Sequence, residues 1–397
     1  MSPVAQDPGP LPEPEADARS HSERLCAVIA DEIARAGAEI PFRRYMELAL
    51  YSPGLGYYAA AGGAGLAGAD FVTAPQISPL FARCLARQCG EVLDEMGGGD
   101  VLEPGAGTGA LAAELLAALE AAGRLPNHYR IVELSAELQA HQRAEIERRV
   151  PHLLERCIWH GEWPEAFDGV VVANEVLDAF PVEGFRVSDA GLEQRRMRDE
   201  AGALADAWTP APEELARAVA HIEADLGRAL PSGYQSELSP QLAGWFAGLA
   251  ASLRRGAALF VDYGYVRSEY YLPERATGTL VCTRAHRAHD DPYDWPGLTD
   301  ITAFVDFTAV TEAATAAGFA LEGFTPQAHF LFASGLEQIA AEARGEVDER
   351  GELYLAQQIK TLTMPGEMGE RFNVIGFSKG LSAPLTGFAR NDLSHRL

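Results

Sequence analysis

The sequence predicts an α/β protein built on a mostly parallel sheet with helices on both faces. Three observations carry that expectation. Short apolar strands alternate with helical stretches from Val101 onward. Gly105, Gly107 and Gly109 fall between a strand and a helix, where a tight turn is needed. Gly169-Val-Val-Val-Ala-Asn174 is apolar enough to be covered on both sides, as strands of a parallel sheet are.

The elements read as follows. Residues 1–20, rich in Pro, Glu and Asp, form an expected disordered tail with neither signal nor transit character. Residues 22–36 are helical, with Leu25, Val28, Ile29 and Ile33 on one face. Pro41 opens a second short helix carrying Tyr45, Met46, Leu48 and Leu50. The segment Tyr51-Ser-Pro-Gly-Leu-Gly-Tyr-Tyr58 is a loop suited to act as a lid, and a flexible tract at 62–68 follows. Asp70-Phe-Val-Thr-Ala-Pro-Gln-Ile-Ser78 leads into a helix ending near Met96. Strands are expected at 101–103, 129–134, 157–160, 169–174 and 257–263, with helices at 110–121 and after the capping Ser135. A hairpin at 185–197 turns at Asp189-Ala-Gly191, and helices at 213–227 and 238–254 delay the next strand. Residues 284–300 form a loop of unusual composition, with His286, His289, Asp290, Asp291, Asp294 and Trp295. A helix at 306–317, two more within 336–364 and a strand at 372–377 complete the chain. This divides it into the tail (1–20), an N-terminal helical and lid region (21–96), a cofactor-binding half-core (97–184), a hairpin and helical insertion (185–255) and the remaining core with an acceptor-side loop and C-terminal helices (256–397).

Composition narrows the function classes. A formal net charge of −25 repels phosphate backbones, so nucleic acid is a poor partner and a basic or Arg-bearing protein surface a good one. No run is long and apolar enough to span a bilayer. Cys26, Cys84, Cys89, Cys157 and Cys282 lack both a paired framework and zinc-site spacing, which points to reduced thiols in a cytoplasmic protein.

Leu102-Glu-Pro-Gly-Ala-Gly-Thr-Gly109 carries the chemistry. Gly105 and Gly107, with Ala110, also fit the dinucleotide fingerprint, so the turn alone leaves NAD and S-adenosylmethionine open. Glu103 at the strand end favours the second: a carboxylate there can receive the ammonium of a methionine moiety but would oppose a pyrophosphate. Glu133, closing the second strand, can accept from ribose hydroxyls, which either cofactor offers. Leu134 joins it in the candidate cofactor set, as do Trp159, His160 and Asn174. His286-x-x-His289 has no evident third ligand, and no metal is expected.

The chain resembles the MidA-like family of S-adenosylmethionine-dependent methyltransferases. The words that carry the resemblance include Tyr51-Ser-Pro-Gly-Leu-Gly-Tyr-Tyr58, Glu103-Pro-Gly-Ala-Gly-Thr-Gly109, Val132-Glu-Leu-Ser135 and Ala173-Asn-Glu-Val-Leu-Asp-Ala-Phe-Pro181. Val261-Asp-Tyr-Gly264, His286-Arg-Ala-His-Asp-Asp-Pro292, Gly297-Leu-Thr-Asp-Ile-Thr302 and Met368-Gly-Glu-Arg-Phe372 extend it. The resemblance implies a Rossmann-like class I core with a seven-stranded sheet and helical additions, and cofactor roles for Glu103, Gly105, Gly107, Gly109 and Glu133. It further implies a protein arginine acceptor, with a respiratory complex I subunit as the named possibility. The chain departs from the family at Gln76, where Glu is usual, and at Phe304, where His is usual. A guanidinium acceptor needs carboxylates to hold it, and Glu175 and Asp178 are the candidates; His289 suits the departing proton. Two rival readings are a noncatalytic assembly factor on the same scaffold and an NAD-dependent oxidoreductase.

Overall fold

Eight strands of the computed structural model form the sheet that the alternating pattern predicts. They are β1 (Asp100–Pro104), β2 (Tyr129–Val132), β3 (Cys157–His160), β4 (Phe167–Asn174), β5 (Leu253–Tyr265), β6 (Val305–Asp306), β7 (Ala320–Pro326) and β8 (Phe372–Lys379). The spatial order is β7-β8-β5-β4-β1-β2-β3, with β6 beside the end of β5. The structure describes residues 11–60, 73–200, 202–345 and 347–397, so the expected flexible tract at 62–68 lies outside the described residues.

The expected mostly parallel sheet is there, but it has eight strands rather than seven. The sheet is mixed: β3, β2, β1, β4 and β5 are parallel, while β8 runs antiparallel to both β5 and β7. Burial explains why the middle strands form. Val170, Val171 and Val172 in β4 and Leu259, Phe260 and Val261 in β5 are fully buried, and β-branched and aromatic side chains pack well on a pleated surface. Along one face, Leu111, Leu115 and Leu119 of the helix α1 (Ala110–Ala121) join Ile146 of α2 (Ala136–Arg149) and Leu85 and Cys89 of the helix Pro79–Met96 in one apolar cluster.

The chain divides into two compact units. The sheet lies in the unit of residues 72–178, 241–270 and 305–397, and the other unit holds residues 1–71, 179–240 and 271–304. In this second unit the helix Ala16–Arg35 begins within the expected tail, six residues before Ser22. Its Leu25, Ile29 and Ile33 pack with Phe42, Tyr45 and Met46 of the helix Phe42–Tyr51. The expected hairpin is there, with Glu183–Ser188 against Gly191–Glu200. It is part of a five-stranded sheet that also takes in Glu39–Pro41, Ala203–Pro210 and Gln235–Leu238. The stretch expected as a loop at 284–300 is largely structured. Val281–Arg284 pairs with both Arg287–His289 and Asp300–Thr302, and the hairpin turns through Ala285 and His286 at φ 52° and 60°. Positive φ at both central residues is the geometry that matches strand twist in a two-residue hairpin.

Candidate functional site

Strand order reverses between β1 and β4: the chain runs from β1 outward to β2 and β3, then returns to the other side of β1. In open α/β sheets this switch point, at the carboxyl ends of the strands, is where ligands sit. Two bonds align those ends. Gly105 N donates to Val132 O and Glu133 N to His160 O, each at 3.0 Å. The turn after β1 has φ of 65°, 51° and 84° at Gly105, Gly107 and Gly109. A side chain on Gly109 would come within 2.8 Å of Gln142 Cα, so helix α2 packs directly on that backbone. At Gly107, chain neighbours apart, no heavy atom of the described residues lies within 4 Å of the place a Cβ would take, which leaves the backbone open to approach.

Glu133 is buried, and its Oε1 accepts Ser135 N at 2.9 Å while its Oε2 accepts Gln142 Nε2 at 3.0 Å. A carboxylate has about four acceptor sites, so capacity remains for a hydroxyl donor. Burial pushes its pKa up, and the bonds from Ser135, Gln142 and Leu134 pull it part of the way back. Leu134 beside it is 76 % exposed, an apolar side chain left in solvent at the strand end. Trp159 commits its indole N–H to Gln142 Oε1 at 3.0 Å, and the Arg143 guanidinium lies 4.1 Å above its ring. His160 stands beside Arg130; burial and then that charge hold its imidazole below the usual range.

Glu103 does not face open solvent. It is 3 % exposed and accepts the Tyr129 hydroxyl at 2.5 Å. Burial raises its pKa to about 7, against the lowering effect of that bond.

At the end of β4, Asn174 donates to Glu175 Oε1 at 3.0 Å, while its buried Oδ1 has no hydrogen-bond partner among the described residues. Glu175 follows at φ 52°, an uncommon conformation for a non-glycine residue and one that gathers at functional sites. The next turn is held by Asp262 at the end of β5. Its Oδ2 accepts the backbone N–H of Val176, Leu177 and Asp178 at 3.2, 2.9 and 3.3 Å, and its Oδ1 accepts Tyr263 N at 2.9 Å. Burial, with Asp178 and Glu175 nearby, pushes the Asp262 carboxyl well above the ordinary range.

All the candidate cofactor residues, with Glu175 and Asp178, thus belong to the sheet-bearing unit. His289 belongs to the other, on the strand Arg287–His289, where both ring nitrogens are buried without a hydrogen-bond partner among the described residues. Its part in proton transfer therefore stays a proposal from imidazole chemistry alone. Among the described residues, no group of three or more His, Cys, Asp or Glu is placed to hold a metal ion. Tyr51 and Tyr58 of the expected lid stack at 5.6 Å, and Tyr58 donates to Asp300 at 2.8 Å. Gln76 completes a capping box with Thr73, which an amide does as well as the usual carboxylate. Phe304 N donates to Thr279 Oγ1 at 3.0 Å.

Sequence reasoning missed Gln142 altogether; it read Asp262, with Tyr263, as lining the acceptor side or merely ending a strand, and missed its bonds to the turn after β4. Gln142 had a signal: it lies between Leu138 and Ile146 at four-residue spacing, on the buried stripe of α2. A polar residue on such a stripe needs buried partners.

The open glycine backbone, the spare capacity of Glu133, the exposed Leu134 and the orphaned Asn174 Oδ1 together fit a nucleoside-bearing cofactor with hydrogen-bond donors. Comparison with known proteins agrees. Residues 84–325 match a family model described as S-adenosyl-L-methionine-dependent methyltransferase. A crystal structure from Burkholderia thailandensis, bound to S-adenosyl-homocysteine, is 46 % identical with TM-score 0.92, covering 98 % of this chain and 100 % of that one. The protein arginine methyltransferase NDUFAF7 homolog, mitochondrial, of Drosophila melanogaster is 28 % identical over 98 % of this chain and 94 % of its own. The Danio rerio protein arginine methyltransferase NDUFAF7, mitochondrial, is 26 % identical over 87 % and 84 % respectively.

Proposed function

The chain belongs to this family of S-adenosyl-L-methionine-dependent methyltransferases, and on that premise we propose that its acceptor is an arginine side chain of a protein. The observation that carries the proposal is the gathering of Glu175, Asp178 and Asp262 at the carboxyl ends of β4 and β5. Such a concentration of carboxylates favours a cation, and a guanidinium offers the planar fork that carboxylates hold bidentately. The names of the relatives support the same acceptor. On the resemblance, the proposal extends to a respiratory complex I subunit as that protein, and on the reduced thiols to the cytoplasm as the place of action. The free thiols are consistent with a reducing compartment. No helix among the described residues is long and apolar enough to cross a membrane.

In this reading Glu133 holds the ribose hydroxyls, Leu134 covers the adenine, and Asn174 Oδ1 takes a donor from the cofactor. The glycine turn lets the backbone come close. S-adenosylmethionine supplies a methyl group already activated by its sulfonium, so the protein has chiefly to orient the acceptor. Glu175 and Asp178 do this by fixing the guanidinium with one nitrogen aimed. Replacing either with alanine should lower methyl transfer about ten- to a hundredfold, the worth of a charge-assisted hydrogen bond, with cofactor affinity kept. The assay is mass spectrometry of methylarginine on the purified complex and in cell lysate. Unchanged methylation in both variants, or cofactor binding with no methylated arginine anywhere, would remove the arginine reading.

Glu103 gives a second test. With its pKa near 7, it is largely protonated at pH 6 and ionised at pH 8. If it answers the methionine ammonium, only the ionised form binds well. Affinity should then fall roughly tenfold per pH unit below 7 and level off above it. Calorimetric titration across pH 5.5–8 measures this, and Glu103→Gln should flatten the curve. A wild-type curve already flat would take Glu103 out of the cofactor site.

A further inference from the structure

We propose that Gln142 is a positioning residue of the cofactor site, one side chain that joins the glycine turn, the ribose carboxylate and Trp159. It is fully buried on α2. Its Nε2 donates to Gly107 O and to Glu133 Oε2, each at 3.0 Å, and its Oε1 accepts the Trp159 indole N–H at 3.0 Å. The orientation of the amide is dictated by its partners. Turned over, the amide would set its oxygen against a carbonyl and a carboxylate, and its NH2 against an indole N–H. Gln142 therefore has one arrangement, and in it three separate chain segments are fixed relative to each other. The packing adds to this, because Gly109 leaves no room for a Cβ over Gln142 Cα.

The consequence falls on Glu133. Two donors at its inner side, Gln142 Nε2 and Ser135 N, set the plane in which its remaining lone pairs point. Glu133 takes bonds from these two and from the Leu134 amide, and the Arg143 charge stands over Trp159. The bond from Gln142 also helps keep the carboxylate ionised against burial. The proposal rests on the reading of Glu133 as the ribose acceptor.

Gln142→Leu suits the test, because leucine continues the stripe of Leu138 and Ile146 and should fold. The probe is S-adenosyl-homocysteine, titrated calorimetrically into wild type, Gln142→Leu, Glu133→Ala and the double variant. We expect Gln142→Leu to weaken binding about tenfold at pH 8, with a thermal unfolding midpoint a few degrees below that of wild type, since the Trp159 N–H and Glu133 Oε2 lose a partner. The loss should deepen toward pH 6 relative to wild type, since Glu133 then ionises at higher pH. In the Glu133→Ala background the same change should cost much less, because the group it positions is gone. Wild-type affinity at both pH values, with Glu133→Ala still weak, would overturn the role of Gln142. So would equal losses from Gln142→Leu with and without Glu133. If Glu133→Ala itself binds like wild type, the ribose reading fails, and the proposal fails with it.

Discussion

Replacing Gly107 with valine should abolish cofactor binding, lowering affinity about a thousandfold, and leave the fold standing. Two facts separate the ligand from the fold at this position. Apart from its chain neighbours, no heavy atom of the described residues lies within 4 Å of where a Cβ would be built, so the new side chain meets none of them at its root. It does enter the space above the turn, where a cofactor must come close to the backbone. The backbone cost is the φ of 51°, which a β-branched residue tolerates poorly, at about 1–2 kcal/mol. That is a modest share of the roughly 5–15 kcal/mol that holds a domain together. Gly109 offers the contrast. There a Cβ would meet Gln142 Cα at 2.8 Å and its carbonyl oxygen at 3.2 Å, so Gly109→Ala should damage packing before it says anything about binding. Titration with S-adenosylmethionine and a melting curve on each variant decide the matter. Wild-type affinity in Gly107→Val would mean that the ligand does not use this turn.

What the sequence makes legible here follows from how local each signal is. The turn at 105–109 and β4 could be read because glycine spacing and an unbroken apolar run are written within a few residues. The strand β7 was invisible, since Ala-Leu-Glu-Gly-Phe-Thr-Pro alternates poorly and is made a strand only by pairing with β8. Glu39–Pro41 and Gln235–Leu238 are too short to show a period, and long-range partners create them. The loop expected at 284–300 misleads for another reason. Its turn takes Ala285 and His286 at positive φ, where glycine or asparagine would have announced a hairpin. In the site, Glu133 was readable from its place at a strand end. The network around it was not, because Gln142 reaches Gly107 across thirty-five positions and Trp159 across seventeen. Asp262 shows the same limit: its carboxylate binds amides more than eighty residues earlier.

That buried carboxylate makes the second large effect. Asp262→Ala should cost about 2–5 kcal/mol of stability and lower methyl transfer about a hundredfold. The stability loss comes from backbone N–H groups of Val176, Leu177 and Asp178 that lose their acceptor in a region where two of the three residues are buried. The activity loss comes from geometry. Those amides fix the turn that carries Glu175 and Asp178, and a shift of about 1 Å in an orienting group is worth about a hundredfold. Asp262→Asn should be milder. Its remaining oxygen can still accept the three amides, but its NH2 then faces the Tyr263 N–H that Oδ1 accepted. Both variants differ from wild type in pH dependence. The Asp262 carboxyl is raised well above the ordinary carboxylate range by burial and then by Asp178 and Glu175. An acid raised on folding stabilises the fold fully below its unfolded value, and that contribution is lost as pH rises through the folded one. Asparagine does not titrate, so the stability gap between wild type and Asp262→Asn should narrow as pH rises. Denaturant unfolding at pH 5 and pH 8 measures the gap. A gap that widened with pH would mean that Asp262 works as a firmly ionised carboxylate, held by its amides against both neighbouring acids.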